Sequence, residues 1–189
     1  NYQTVGFVGD GAQVELRPKR STKVQPLGGG EAGTDHDREA LEEGIAFYQA
    51  AGGTYYYSNG SDGPAGTSPY TSAQVDNRPP TADIVALQYA GTQSLVFSQA
   101  IANPVFAFVS LNGNGYGFDQ DFDILSFGDA SDGNACGYWG CGTSYKNIVT
   151  VNGKTEYQLL GTGEPHGTLR FTGTFDTVSW RSLSNEGWN

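Results

Sequence analysis

The sequence is poor in the residues that most metal and catalytic sites need. It contains no methionine, two histidines (His36 and His166) and two cysteines, and only 16% of its residues are charged. Two cysteines alone cannot make a structural zinc site, and two histidines offer little to a Ser/His/Asp arrangement. No G-x-S-x-G, H-E-x-x-H or phosphate-binding loop occurs. These absences predict that the protein is not an enzyme.

Positive charge and long apolar runs are also scarce. The chain has 10 basic against 20 acidic residues, a net charge of -10. Nucleic-acid phosphates and anionic lipid surfaces attract lysine and arginine, so this balance excludes both as partners. No run approaches the roughly 18 apolar residues of a membrane-spanning helix. The sequence opens at Asn1 without an apolar signal segment, which predicts either a removed signal peptide or a longer precursor.

The two cysteines, Cys136 and Cys141, lie in the short stretch CGYWGC. This spacing differs from the redox motif C-x-x-C, and it favours a local disulfide over two free thiols. Because the closed loop is small, the disulfide would add roughly 2–3 kcal/mol of stability at most. A disulfide also predicts an oxidising compartment, and therefore an extracellular or cell-surface location.

Glycine and aromatic residues are abundant, with 28 glycines, 11 tyrosines and 10 phenylalanines. Many tight turns and aromatic strand faces are typical of an all-β fold. Strands are predicted over residues 83–89, 94–98, 105–111, 121–127, 148–151, 155–160, 167–173 and 176–181, with turn signals between them. Their spacing favours an antiparallel β-sandwich of jelly-roll type, formed by one domain over residues 1–189.

The stretch 103–128, NPVFAFVSLNGNGYGFDQDFDILSFG, predicts a central β-hairpin. Its first run, 105–111, is nearly all apolar, as in a strand buried in a core. Its second run, 118–127, alternates between acids on one face and aromatic or aliphatic residues on the other. Asn-Gly between two such runs is a strong hairpin signal, so we expect the acidic face to lie in solvent.

The N-terminal part predicts two short strands, a linker and one helix. Residues 2–8 and 13–17 flank the turn Gly9-Asp10-Gly11, and a Gly- and Pro-containing linker extends to residue 30. Residues 35–51 predict one accessory α-helix, which Thr34 can cap at its N-terminus. The apolar stripe of this helix consists of Leu41, Ile45 and Tyr48.

Aromatic residues cluster in two loop regions. One cluster adjoins the long loop 58–80, and the other lies inside the predicted disulfide loop. Exposed aromatics of this kind stack on sugar rings or on a neighbouring subunit, whereas the alternatives are ordinary strand residues and a tryptophan lid on the core. Asn59 begins the glycosylation sequon Asn-Gly-Ser. The candidate contact residues are Tyr55, Tyr56, Tyr57, Tyr70, Tyr138 and Trp139.

The acidic face of the predicted hairpin and the loop after it could hold a cation. Ca²⁺ prefers a mixture of carboxylates and carbonyl oxygens, which this region offers without matching the EF-hand spacing. The alternative is a solvated acidic face. The candidate ligands are Asp119, Asp121, Asp123, Asp129, Asp132 and Asn134. The predicted cofactor is therefore Ca²⁺ or none.

The second half of the chain resembles bacterial secreted proteins of the PEP-CTERM sorted group. The resemblance covers about residues 82–188 and rests on NPVFA, FDQDFDILSFG, GYWGCG, HGTLRFTGTFDTVSW and the closing NEGW. It implies an exported β-sandwich of the cell surface or biofilm matrix, with no established catalytic residues. In such proteins the tryptophan motif runs on into an apolar strand, a PEP motif, a membrane-spanning segment and a basic tail, whereas this sequence stops at Asn189.

A sandwich that lacks a final strand would carry an open edge, which is a template for pairing with another chain. The sequence thus predicts a secreted, non-enzymatic structural or adhesive protein of the cell surface or extracellular matrix. It would be a filament subunit assembled by β-strand donation, with residues 1–8 as the donor. The alternative is a carbohydrate-binding module that uses the loop aromatics. The predicted partners are copies of the chain itself, or cell-surface and matrix glycans.

Overall fold

The computed structural model describes residues 14–18, 45–48, 68–75, 84–87, 91–111, 115–128, 136–137 and 139–184, with the backbone alone for 14–18, 45–48 and 84–87. These residues form strands and no helix, so none of them belongs to a helix that could cross a membrane. The strands are β1 (Val14–Pro18), β2 (Ile45–Tyr48), β3 (Ile84–Leu87), β4 (Thr92–Ala102), β5 (Val105–Phe108), β6 (Gly115–Phe118), β7 (Phe122–Phe127), β8 (Gly142–Val151), β9 (Lys154–Gly163), β10 (Gly167–Phe171) and β11 (Thr174–Ser182).

The strands belong to two main antiparallel sheets and a separate pair. The larger sheet has six strands in the order β1-β4-β11-β6-β9-β8, and the smaller sheet has the order β5-β10-β7. Among the described strands, β2 and β3 pair with each other and with no other strand. From β4 onward the chain passes repeatedly between the two main sheets, so strands that are distant in sequence become neighbours. The all-β prediction is confirmed for the described residues.

Aromatic side chains from both main sheets meet in one core. Phe118 of β6, in the larger sheet, is fully buried and lies 5.1 Å from the ring of Phe171 in β10. It also lies 5.9 Å from Phe106 in β5 and 5.5 Å from Phe122 in β7, measured between ring centroids. These pairs are edge-to-face, the arrangement that the quadrupoles of the rings favour. One side chain of the larger sheet therefore contacts every strand of the smaller sheet.

The predicted hairpin of residues 105–111 and 118–127 is wrong. Strands β5 and β7 share a sheet, but β10 lies between them, and the Gly-rich connection forms strand β6 in the other sheet. The glycines of GYGF serve close packing rather than a turn. A side chain at Gly117 would collide with the carboxylate of Glu156, and one at Gly115 would collide with Leu160. Glycine within a strand often marks such a close approach.

The predicted helix over residues 35–51 is wrong for residues 45–48, which form β2. Ile45 lies opposite Leu87, and Tyr48 lies opposite Ile84, in an antiparallel ladder. Branched and aromatic residues such as those of the segment IAFY fit a pleated surface better than a helix. The other residues of the predicted helix lie outside the described residues.

Most other strand predictions are confirmed within a few residues. The predicted strands 13–17, 83–89, 121–127, 155–160 and 176–181 correspond to β1, β3, β7, β9 and β11. Strands β4 and β8 are longer than predicted, with 11 and 10 residues. The turn signal Asn152-Gly153 joins β8 to β9, with φ angles of 51° and 76°. Both angles are positive, as a two-residue type I′ hairpin turn requires.

Replacing the ring that touches every strand of the smaller sheet should destabilise the whole fold. We expect Phe118→Ala to lower the free energy of unfolding by about 3–5 kcal/mol, because it removes a fully buried ring. Phe175→Ala is the matched control, since Phe175 is half-buried and contacts Phe171 at the edge of the core. Urea unfolding followed by tryptophan fluorescence measures both. Equal losses in the two variants would contradict this account of the core.

Candidate functional site

His166 lies at the centre of the most enclosed polar cluster among the described residues. Its side chain is fully buried, and its Nδ1 accepts the backbone N–H of Ser110 at 3.2 Å. The hydroxyl of Tyr70 lies 3.3 Å from the same nitrogen. Because Nδ1 accepts a hydrogen bond, the ring proton resides on Nε2, which has no partner among the described residues. Burial lowers the pKa of His166 from 6.5 to about 3, so the ring is neutral at physiological pH.

The disulfide loop covers the imidazole of His166. Cys136 and Cys141 form a disulfide, as predicted, and they close a loop with a sequence separation of 5. Gly137 lies against the ring so closely that any side chain there would collide with it. Trp139 stacks on the ring, with a centroid distance of 6.5 Å and an angle of 4° between the planes. The loop and the histidine therefore hold each other in place.

Ser110 and Glu164 complete the cluster. The hydroxyl of Ser110 donates to the Glu164 carboxylate, and the backbone N–H of Ser110 donates to His166. A catalytic serine needs its hydroxyl on the imidazole, and it needs access to a substrate. Ser110 is fully buried and has a φ of 54°, which places it at a sharp bend after β5. As placed, these residues can hold the disulfide loop against His166.

A groove on the outer face of the larger sheet is the second candidate. It has a volume of about 410 Å³. Its floor is Gly117, over which the carboxylate of Glu156 lies. Arg181 holds that carboxylate with two hydrogen bonds, of 2.7 and 2.9 Å, and Gln158 adds a third of 2.8 Å. The groove is lined by Thr92, Gly117, Phe118, Asp119, Val151, Asn152, Lys154, Thr155, Glu156, Ser179, Trp180 and Arg181.

The charges of the groove balance one another. The hydrogen bonds from Arg181, with a smaller contribution from Gln158, lower the pKa of Glu156, whose side chain is 12% exposed. Asp119 and Lys154 add one further charge of each sign to the lining. The groove therefore presents fixed donors and acceptors without a net charge. Such a surface suits an uncharged, hydroxyl-rich ligand better than a strongly charged one.

The acids predicted as calcium ligands point to different partners. The Asp119 carboxylate accepts the backbone N–H of Ser179 at 2.8 Å. Asp121 forms an ion pair with Lys146 of β8, whose ammonium group also lies over aromatic rings. Both acids belong to the connection between β6 and β7, so they do not share a strand face with the acid that follows in β7.

That third acid, Asp123, forms an ion pair of 3.2 Å with Arg170 of the neighbouring strand β10. Among the described residues, no three His, Cys, Asp or Glu side chains gather at a point where they could hold a metal ion. The calcium site thus stays a prediction that depends on residues outside the described part. Those residues are Asp129, Asp132 and Asn134.

The outer edge of β8 is the third candidate, and sequence reasoning found only its last four residues. This strand ends the larger sheet, and no strand of the described chain pairs with its outer side. Among the described residues, the large hydrophobic side chains that are exposed are Tyr145 and Ile148, at 51% and 57%, and both belong to β8. Apolar side chains on an unpaired edge are a signal for pairing with another chain.

The predicted aromatic contact residues are only partly described. Tyr70 is fully buried beside His166, so it is not part of an exposed platform. Trp139 is half-buried, with one face on the histidine, which is closer to the predicted lid than to a free surface aromatic. The remaining candidates lie outside the described residues. They are Tyr55, Tyr56, Tyr57, Tyr138 and the sequon residue Asn59.

The buried, neutral His166 should make stability depend on pH. The unfolded chain binds a proton near the ordinary pKa of 6.5, whereas the folded chain binds it only near about 3. The free energy of unfolding should therefore be highest above pH 6.5 and fall toward pH 3, by about 1.4 kcal/mol per pH unit from this residue. We expect His166→Gln to remove that slope in urea unfolding. Carboxylates titrate in both proteins, so they cancel in the difference, and identical slopes would contradict the assignment.

Comparison with known proteins supplies no relative from which a function could be carried over. No family model matches the chain. No curated protein matches it, and no solved structure does either. The resemblance to the PEP-CTERM group therefore stays a prediction from the sequence, and function has to be argued from the geometry of the chain itself.

Proposed function

We propose that the protein is a secreted, non-enzymatic structural or adhesive subunit of the cell surface or extracellular matrix. The observation that carries the proposal is the edge of the larger sheet. There, the outer side of β8 pairs with no described strand, and of its residues Gly142, the first, donates its N–H to the carbonyl of Gly128 at 3.4 Å. Natural sheets usually cover, shorten or charge such an edge, because it recruits other chains. A long edge that exposes Tyr145 and Ile148 is useful to a protein whose task is to associate.

We further propose that the two main sheets form a β-sandwich of jelly-roll type. Rings from β5, β7 and β10 meet Phe118, and Phe106 also contacts Trp180 of β11 at 6.0 Å. A core built from the facing sides of two sheets is the arrangement of a sandwich. The disulfide between Cys136 and Cys141 supports secretion, since such bonds persist in oxidising compartments.

Assembly by strand donation would use the other edge of the larger sheet. Residues 14–18 form β1, which pairs with β4 of the same chain from Val14 opposite Phe97 to Pro18 opposite Gln93. Because β1 keeps its place in its own sheet, the donated strand is limited to the residues before it. We place residues 1–8 of a neighbouring copy along the outer edge of β1. There they replace the chain's own residues 1–8, which the sequence predicts to form a hairpin with residues 13–17 around Gly9-Asp10-Gly11. Repeated exchange in one direction would build a filament.

Proline in the donor strand should stop this exchange. Proline has no N–H to donate to a strand ladder. Of two adjacent strand residues, one points its N–H toward the partner strand, so a proline at one of the two positions removes a hydrogen bond. We therefore expect at least one of the variants Thr4→Pro and Val5→Pro to abolish polymers in negative-stain images of the secreted protein. Val5→Ile is the control and should retain them.

The donation proposal fails in either of two cases. One is a wild-type protein that stays monomeric with its N-terminus paired in its own sheet. The other is polymer formation that neither proline reduces. Circular dichroism checks that each variant keeps its strand content, so that loss of polymers is not loss of the fold.

Carbohydrate binding is the second candidate function, and the groove over Gly117 favours it. The groove combines balanced charges with the exposed carbon surface of the strands, which suits the hydroxyls and the apolar ring faces of a saccharide. This site differs from the loop aromatics that the sequence suggests. Both use the glycans of a cell surface or matrix as the ligand.

The two glycan sites can be separated by substitution. If the groove binds saccharides, Glu156→Gln should weaken binding to a glycan array at least about tenfold, because it breaks the charge-assisted pair with Arg181. Asp176→Asn is the matched control, since Asp176 is an exposed acid of β11 outside the groove. Binding lost only on replacing Tyr55, Tyr56 and Tyr57 would favour the loop instead. Equal binding by all variants would contradict both sites.

A further inference from the structure

The hydrogen-bonding side of every residue in β8 follows from the turn that ends the strand. Val151 and Lys154 flank a two-residue turn, so they form a hydrogen-bonded pair. The register of β8 with β9 continues to Gly142 opposite Gly163 without a shift. Hydrogen-bonded pairs alternate along an antiparallel ladder, so odd-numbered residues of β8 bond to β9. Even-numbered residues therefore point their N–H and C=O groups to the outer edge, where Gly142 donates to the carbonyl of Gly128 and the edge available to another chain begins at Thr143.

We propose that this edge pairs with the β8 strand of a second copy of the chain, antiparallel about a two-fold axis. The inference concerns a different edge from the strand donation above, and it does not need residues 1–8. In such a pair, the outward groups of even-numbered residues must bond to one another. The residue on the two-fold axis then lies opposite the same residue of the second copy. The two registers with the longest overlap place either Lys146 or Asn147 on the axis.

Charge and side-chain contacts select Asn147 as the residue on the axis. The alternative register sets Lys146 opposite the same lysine, and like charges directly opposite are destabilising. With Asn147 on the axis, Tyr145 lies opposite Val149, an aromatic and β-branched pair that is favourable across strands. Ile148 then lies opposite Lys146, whose aliphatic stem can cover it. The register therefore gives both exposed apolar side chains of the strand a partner.

The strand carries one charged residue, Lys146, and its ammonium group is paired with Asp121 and with the carbonyl of Phe122. What opposes association is the net charge of -10 on each copy, which is spread over the whole molecule. Salt screens such long-range repulsion. The dimer should therefore become stronger as the ionic strength rises.

A cysteine at residue 147, on the proposed two-fold axis, tests the register of the β8 pair directly. Odd-numbered residues form the closely spaced, non-hydrogen-bonded pairs of the new ladder, with Cα atoms about 4.5 Å apart, a distance that a disulfide can span. We expect mild oxidation to convert Asn147→Cys into a covalent dimer on a non-reducing gel, at least about tenfold faster than Val149→Cys. Val149 lies on the same face of the same strand and would be opposed by Tyr145. A mixture of Tyr145→Cys and Val149→Cys should crosslink where neither does alone.

Two further substitutions, each combined with Asn147→Cys, distinguish the β8 pair from the strand-donation proposal. Crosslinking of Asn147→Cys should persist in the background of whichever proline variant, Thr4→Pro or Val5→Pro, abolishes polymers. It should be lost with Ile148→Lys, which puts a charge on the edge. If Asn147→Cys crosslinks no faster than Val149→Cys, the β8 pair is overturned. The strand-donation proposal is not affected by that result, because it depends on residues 1–8. Loss of crosslinking in the proline variant that abolishes polymers also overturns the β8 pair, because the edge would then depend on the donated segment. Unfolding curves confirm that each variant is folded.

Discussion

The structure depends on the contacts of one phenylalanine in a four-residue strand. Phe118 belongs to β6, in the middle of the larger sheet, and its ring meets one ring from each strand of the smaller sheet: Phe106, Phe122 and Phe171. Along β6, the aromatic residues Tyr116 and Phe118 alternate with Gly115 and Gly117. The aromatic positions fill the core, and Gly117 leaves room on the opposite face for the carboxylate of Glu156. The core and the outer groove are thus two sides of one short segment.

Much of the fold could be predicted because its signals are local. The alternation of polar and apolar residues located the strands of the second half, and Asn152-Gly153 located a turn. The error at β6 arose because glycine occurs both in turns and where strands pack closely, and NGNGYG was interpreted as a turn. The error at residues 45–48 arose because β2 is stabilised by pairing with β3, a contact that no helical periodicity can reveal. Pairing between distant segments decided both cases.

The candidate sites could be predicted less well than the fold, because they depend even more on contacts between distant segments. The sequence identified the disulfide from its spacing, but nothing in it indicated that His166 would be buried beneath the disulfide loop. The burial of that histidine depends on Gly137, which is 29 positions earlier and fits only because it has no side chain. The acids of the predicted calcium site looked unpaired, since nothing local announces that Lys146 and Arg170 will reach them. Charge partners across a sheet are set by strand order, which a single sequence does not contain.

The long, unshifted ladder between β8 and β9 has a mechanical consequence. Its hydrogen bonds run perpendicular to the strands, so a pull along β8 shears them all together instead of opening them one after another. The ion pair between Lys146 and Asp121 also ties this hairpin to the smaller sheet. A copy joined to its neighbour along β8 would therefore transmit tension through its longest unshifted ladder.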